Sequence, residues 1–127
     1  MKNPYEKYKQ QSVMTMTGGE MVNLLFDTAV NRLNRGIICL KEKDYEGSNT
    51  AFQKAQNIFT HLSVTLDDQY EISESLASLY DFFNYSIRQA NIRKDAGPVE
   101  EILPMIVELQ ETFAQADKNV RIQRSIG

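Results

Sequence analysis

One long segment, residues 71–95, constrains the fold of this chain more than any other. It reads EISESLASLYDFFNYSIRQANIRKD and contains no Gly or Pro that would interrupt a helix. Its apolar and small residues advance in alternating steps of four and three, and this period near 3.5 residues keeps one helix face against its neighbours in a bundle. We expect the segment to be the central helix of a helical domain. The stripe consists of Ile72, Leu76, Leu79, Phe83, Ser86 and Ala90, widened by Tyr80 and Ile87.

Three further segments carry the same period and predict three more helices. The first starts where Thr17 and Glu20 have the spacing of a capping box. The second follows Asp44, whose side chain can cap it. The last follows residues 96–98, where Pro98 suits the first helical position. Their stripes are Val22, Phe26, Ala29, Leu33, Gly36 and Leu40; Phe52, Ala55, Phe59, Leu62 and Leu66; and Val99, Ile102, Ile106, Leu109, Phe113, Ala116 and Val120.

Four helices with short connections predict an all-α, antiparallel, up-and-down four-helix bundle. Residues 17–117 would form the bundle, residues 1–16 an N-terminal arm or short extra helix, and residues 118–127 a basic tail. Pro104 lies inside the last stripe, where it removes a backbone donor and clashes with the preceding turn. We therefore expect a kink at Pro104, or a helix that begins just after it.

Composition and charge argue against several classes of function. A net charge of −3 gives no electrostatic basis for binding nucleic acid. No apolar run approaches the roughly 20 residues of a membrane span, and the N-terminal sequence has no apolar signal core. We expect a cytoplasmic protein that does not insert into membranes. Since Cys39 is the only cysteine, no internal disulfide can form.

The chain has few candidates for catalysis or metal binding. His61 is the only histidine, so the paired Glu-x-x-His motifs of di-iron bundles cannot exist. A zinc site would need more than one His and one Cys. Gly18 and Gly19 are not followed by the Gly-Lys of a phosphate-binding loop. We therefore expect neither an enzyme nor a cofactor.

Surplus apolar residues lie off the core stripes and are the candidate partner-binding residues. One interpretation is that the arm or broad packing covers them; the other is that they form grooves for apolar helices of a partner. The arm itself, with two tyrosines three residues apart, is either a frayed terminus or a segment that docks reversibly on the bundle. The candidates are Tyr5, Tyr8, Leu24, Ile38, Val64, Phe82, Tyr85, Leu103 and Val107.

Several motifs, in order along nearly the whole chain, resemble those of the flagellin-specific export chaperones of the FliS type. Residues 15–21 (TMTGGEM) and 24–27 (LLFD) are similar to its first-helix motifs, and residues 54–58 (KAQNI) to its second-helix pattern. Residues 76–82 (LASLYDF) and 90–95 (ANIRKD) resemble its most specific signature, Leu-x-x-Leu-Tyr-Asp-Tyr followed by Ala-Asn-x-x-x-Asp. Departures include Gly18, Thr28, Gln110 and Phe113, where the family usually has Pro, Gly, Arg and Trp.

The resemblance implies a cytoplasmic helical bundle that binds the disordered C-terminal segment of flagellin. Binding would prevent premature polymerisation and assist delivery to the flagellar type III export apparatus, with the export gate as a further partner. The resemblance also implies that the arm, with Tyr5 and Tyr8, lies on the bundle. A second hypothesis from the residues is a non-enzymatic adaptor that homodimerises through Phe82, Tyr85 and Val64; the chaperone reading predicts a monomer, or at most a weak homodimer.

Overall fold

A computed structural model describes residues 18–126 of the chain as four α-helices, with no strand in that range. Helix α1 spans Gly18–Lys41, α2 Tyr45–Val64, α3 Ile72–Arg93 and α4 Gly97–Ile126. Each helix packs against the two beside it, in the ring α1, α2, α3, α4 and back to α1. The predicted all-α four-helix bundle is confirmed. The predicted arm, and Thr17 of the predicted capping box, lie outside the described residues.

The predicted stripes supply most of the core, with Ile72 and Ala116 as exceptions because both are exposed. A cluster of aromatic rings forms its centre: Phe59 contacts Phe26, Tyr80 and Phe83, with ring centroids 6.4, 6.1 and 5.2 Å apart. Burial of Tyr80 raises the pKa of its phenol to about 12, because the charged phenolate would lose its hydration. The fully buried side chains in the four helices include Phe26, Leu33, Phe52, Phe59, Phe83, Ile87, Val99, Ile102 and Ile106.

Close approach of α1 and α2 depends on Gly36. A Cβ atom at this position would lie 2.6 Å from Cδ1 and 2.8 Å from Cζ of the fully buried Phe52 ring. These distances are shorter than van der Waals contact, so the ring occupies the space that any side chain at position 36 would need. The sequence-based expectation that Gly36 allows close approach of a neighbour therefore has a specific partner.

The prediction for the start of α3 was wrong at one residue. Ile72 was placed in the core, but its side chain is 64% exposed, whereas Ser73 is buried. The Ser73 hydroxyl donates a 2.5 Å hydrogen bond to the carbonyl of Asp67, in the connection that precedes the helix. This bond satisfies the Ser73 hydroxyl inside the bundle and leaves Ile72 on the outer side of the first turn.

Helix α4 continues through Pro104, so the alternative of a helix that begins after this proline was wrong. Pro104 is exposed, while Ile102 and Ile106 on either side of it are fully buried. Their burial stabilises the helical path on both sides of the missing backbone donor. The helix also extends to Ile126, through the segment that the sequence suggested as a basic tail.

The helix ends are fixed by local bonds. As predicted, Asp44 caps α2, and its Oδ1 accepts a 3.0 Å hydrogen bond from the backbone N–H of Gly47. Lys43, before this cap, and Lys94, after α3, both have positive φ angles, of 60° and 56°. A residue with a left-handed backbone just after a helix ends it, because the backbone N–H groups there bond to the last carbonyl groups of the helix.

Candidate functional site

Most of the candidate partner-binding residues lie on the surface of the bundle. Ile38 on α1 is 45% exposed, Val64 at the end of α2 is 78% exposed, and Val107 on α4 is 38% exposed. On α3, Phe82 and Tyr85 are 43% and 52% exposed. Large apolar side chains with this exposure on all four helices give the bundle an apolar surface that its own core does not use.

Two candidates are less exposed than the others. Leu103 is half-buried and packs against the core, so part of its apolar surface is already covered. Leu24 is also half-buried; it lines a cavity of about 340 Å³ between α1 and α4, together with Asp27 and Asp117 among others. Tyr5 and Tyr8 lie outside the described residues.

The candidates form separate groups along the bundle. Phe82 and Tyr85 are three residues apart on α3, so they are neighbours on one side of the helix. Ile38 is near the end of α1 that joins α2, whereas Val64 ends α2 at the opposite end of the bundle. The 20 residues of α2 span about 30 Å, so Ile38 and Val64 do not belong to one compact patch. A partner that contacts both must extend along the bundle.

Several exposed apolar residues were missed by the sequence analysis. Tyr70, in the connection between α2 and α3, is 64% exposed, and Ile92 near the end of α3 is 73% exposed. Ile72 joins them, since it was assigned to the core. The position of Ile92 on a helical wheel, far from the core stripe, would have revealed it as exposed. Tyr70 precedes the helix, so no periodicity applied to it.

Polar side chains join the helices beside these apolar groups. Between α2 and α3, Asn91 donates a 2.7 Å hydrogen bond to Asn49, and Asn84 donates a 3.2 Å bond to Thr60. Directional bonds of this kind fix how one helix is placed along the other. Within residues 18–126, no group of three or more His, Cys, Asp and Glu residues is arranged to hold a metal ion.

Comparison with known proteins identifies the family. The sequence profile described as "Flagellar protein FliS" matches residues 1–120. The chain belongs to the FliS family. It is 32% identical to the flagellar secretion chaperone FliS of Bacillus subtilis over 124 residues, which cover 98% of this chain and 93% of that protein. It is 30% identical to the flagellar secretion chaperone FliS of Salmonella typhimurium, over 91% of this chain and 88% of that one.

The motif that most resembles the FliS family divides between core and surface. In residues 76–82, Leu76 and Tyr80 are buried, whereas Asp81 and Phe82 are exposed. The first two therefore serve the fold, and Phe82 is available to a partner. None of the described helices of this FliS-family chain is apolar over a stretch long enough to cross a lipid bilayer.

Gln110, which stands where the FliS family usually has Arg, joins α4 to α1. Its Nε2 atom lies 2.6 Å from Oδ1 of Asp27 and 3.0 Å from Oδ1 of Asn23. The amide thus donates to a carboxylate across the helix pair, as a guanidinium could, but without the positive charge. Gln110 therefore links α4 to α1 in this chain through its bonds to Asp27 and Asn23.

Proposed function

We propose that this chain is a cytoplasmic, non-enzymatic chaperone that binds the C-terminal segment of flagellin. Binding prevents premature polymerisation of the subunit and assists its delivery to the flagellar type III export apparatus. Membership of the FliS family supports this function, as do the relatives described as flagellar secretion chaperones. The structural observation that carries the proposal is the set of exposed apolar side chains distributed over four helices.

The arrangement suits a partner that folds as it binds. A disordered segment can wrap a large surface, and its apolar side chains gain burial while its backbone becomes ordered. Exposed residues at opposite ends of the bundle, such as Ile38 and Val64, would each receive a different part of such a segment. Contact with both requires a partner surface about 30 Å long, which an extended segment provides without a large folded body.

The proposed role of Phe82 in binding can be tested by replacing its side chain with a charged one. We expect Phe82→Asp to weaken binding of a flagellin C-terminal fragment about tenfold, since an apolar contact would be replaced by a carboxylate that loses its hydration. Gln53→Asp is the matched control, because it also adds one negative charge at an exposed helix position. Calorimetric titration should give a one-to-one complex for the wild type and the control.

Equal affinities for Phe82→Asp and the wild type would place the binding grooves elsewhere, across Leu24, Ile38 and Val64. Light scattering separates the chaperone from the adaptor alternative in the same samples. A monomer that becomes a one-to-one complex with the fragment supports the chaperone. A stable dimer that is disrupted by Phe82→Asp, and that does not bind the fragment, supports the adaptor.

For the arm, we propose that Tyr5 and Tyr8 cover part of an apolar groove in the free protein. If about one molecule in ten is open, covering lowers the apparent affinity for flagellin about tenfold. Deletion of residues 2–12 should then tighten binding by that factor, as measured by the same titration. Weaker binding would indicate that the arm clasps the partner instead, and unchanged binding with failed export would indicate that it docks on the export gate.

A further inference from the structure

A cavity with several cations lies between α1 and α2, near the end of the bundle where these helices are joined. It has a volume of about 450 Å³. Arg32 and Arg35 line it from α1, and Lys54 and Thr50 line it from α2. The part of the chain that the structure describes contains no ion pair to Arg32, Arg35 or Lys54. Their donors are therefore available to a ligand.

Two carboxylates also line the cavity, and they do not neutralise it. Asp44 is used to cap α2, since its Oδ1 accepts the N–H of Gly47 at 3.0 Å. Glu46 is the other acid. With three cations against two carboxylates, the cavity has a net positive charge and favours an anion. A guanidinium presents parallel N–H groups that match the two oxygens of a carboxylate.

The cavity is next to one of the exposed apolar residues. Arg35 and Ile38 are three residues apart on α1 and are therefore neighbours on the helix surface. Ile38 is 45% exposed and is a candidate contact for the partner. A chain that covers Ile38 would pass beside Arg35, so an anionic group within one or two residues of that contact could enter the cavity.

We propose that this cavity binds the terminal carboxylate of the flagellin segment, an inference that rests on the proposed binding of flagellin. Any C-terminal segment carries this anion, whatever its side chains. Apolar contacts alone allow a helix to shift along a groove. A carboxylate held by Arg32 and Arg35 would fix the end of the segment and thereby the register of the residues before it.

Amidation of the flagellin fragment tests the proposal without changing the chaperone. The amide has almost the shape of the acid but no charge. We expect amidation to weaken binding to the wild-type protein about three- to tenfold at low salt, and less at high salt, because these are solvent-accessible ion pairs. Both fragments are made synthetically. Calorimetric titration with each of them gives the ratio of the affinity for the free acid to the affinity for the amide.

A pair of double variants tests whether this cavity is where the terminal carboxylate binds. Arg32→Gln/Arg35→Gln removes two exposed cations from the cavity, and Arg88→Gln/Arg93→Gln removes two exposed cations from α3. We expect the first variant to bind the acid and the amide equally. The control should keep the wild-type ratio. The difference between the two ratios is the coupling between the terminal carboxylate and the cavity.

Four results would overturn the inference. If both fragments bind the wild type equally, no site recognises the terminal carboxylate, although the proposed chaperone function stands. If the ratio persists in Arg32→Gln/Arg35→Gln and neither fragment binds this variant more weakly than the wild type, the carboxylate is bound elsewhere. If this variant weakens both fragments to the same extent, the cavity recognises a side-chain carboxylate. If neither fragment binds the wild-type protein, the flagellin-binding function is refuted, and the inference with it.

Discussion

Phe83→Ala is expected to reduce the free energy of unfolding by about 3–5 kcal/mol. Phe83 is fully buried, and its ring centroid lies 5.2 Å from that of Phe59. Removing the ring takes apolar surface out of the core and leaves a cavity among rigid aromatic neighbours, which can fill the space only in part. The measurement is chemical denaturation followed by circular dichroism.

The adjacent residue provides the control for this experiment. Phe82 has the same side chain on the same helix, but it is 43% exposed. Phe82→Ala should cost about 1 kcal/mol, because the lost burial is smaller and water can fill the space. Similar losses for the two variants would show that the core and the partner-binding surface of α3 are wrongly assigned.

Alkaline pH should destabilise the protein through Tyr80. The pKa of this phenol is about 12 in the folded state, against 10.0 for the unperturbed group, because burial disfavours the phenolate. The folded state therefore holds the proton more tightly than the unfolded state does. The resulting stability is fully present below pH 10 and is lost as the pH rises from 10 through 12.

We expect a loss of about 2 kcal/mol from this group by a pH of about 12. Tyr80→Phe is the reference, since it keeps the ring and removes the ionisable hydroxyl. Urea denaturation of both proteins at a series of pH values isolates the contribution of Tyr80 from that of every other titrating group. A constant difference in unfolding free energy between the two proteins across this range would contradict the prediction.

The sequence determined the architecture because the apolar period is regular. Alternating steps of three and four were enough to place Phe26, Phe59, Phe83 and Ile106 in one core. Where the period met a helix end, it failed. Ile72 and Ser73 both begin α3, and Ser73, whose hydroxyl donates to the carbonyl of Asp67, is the one that faces inward. Periodicity contains no information on such a bond.

Two other features could not be read from the sequence. The path of α4 through Pro104 depends on whether burial of Ile102 and Ile106 compensates for the missing backbone bond, which is a property of the packed bundle. The cationic cavity brings Arg32 of α1 together with Lys54 of α2. Which residues of two helices lie at the same level depends on how the helices are placed along each other, and the sequence alone does not give that placement. The surface candidates came from apolar residues off the core stripes, whereas their assignment to flagellin binding came from the family resemblance and stays a prediction.

The contact between Gly36 and Phe52 also limits how this protein can evolve. Every amino acid other than glycine has a Cβ atom, so each single replacement at position 36 meets the buried ring of Phe52. A smaller residue at position 52 would have to arise first, and alone it would leave a void between α1 and α2. The two positions are therefore bound to vary as a pair, and either intermediate along the path carries a reduced stability. Divergence among descendants of this chain should be slow at both positions, because both lie inside the packed bundle.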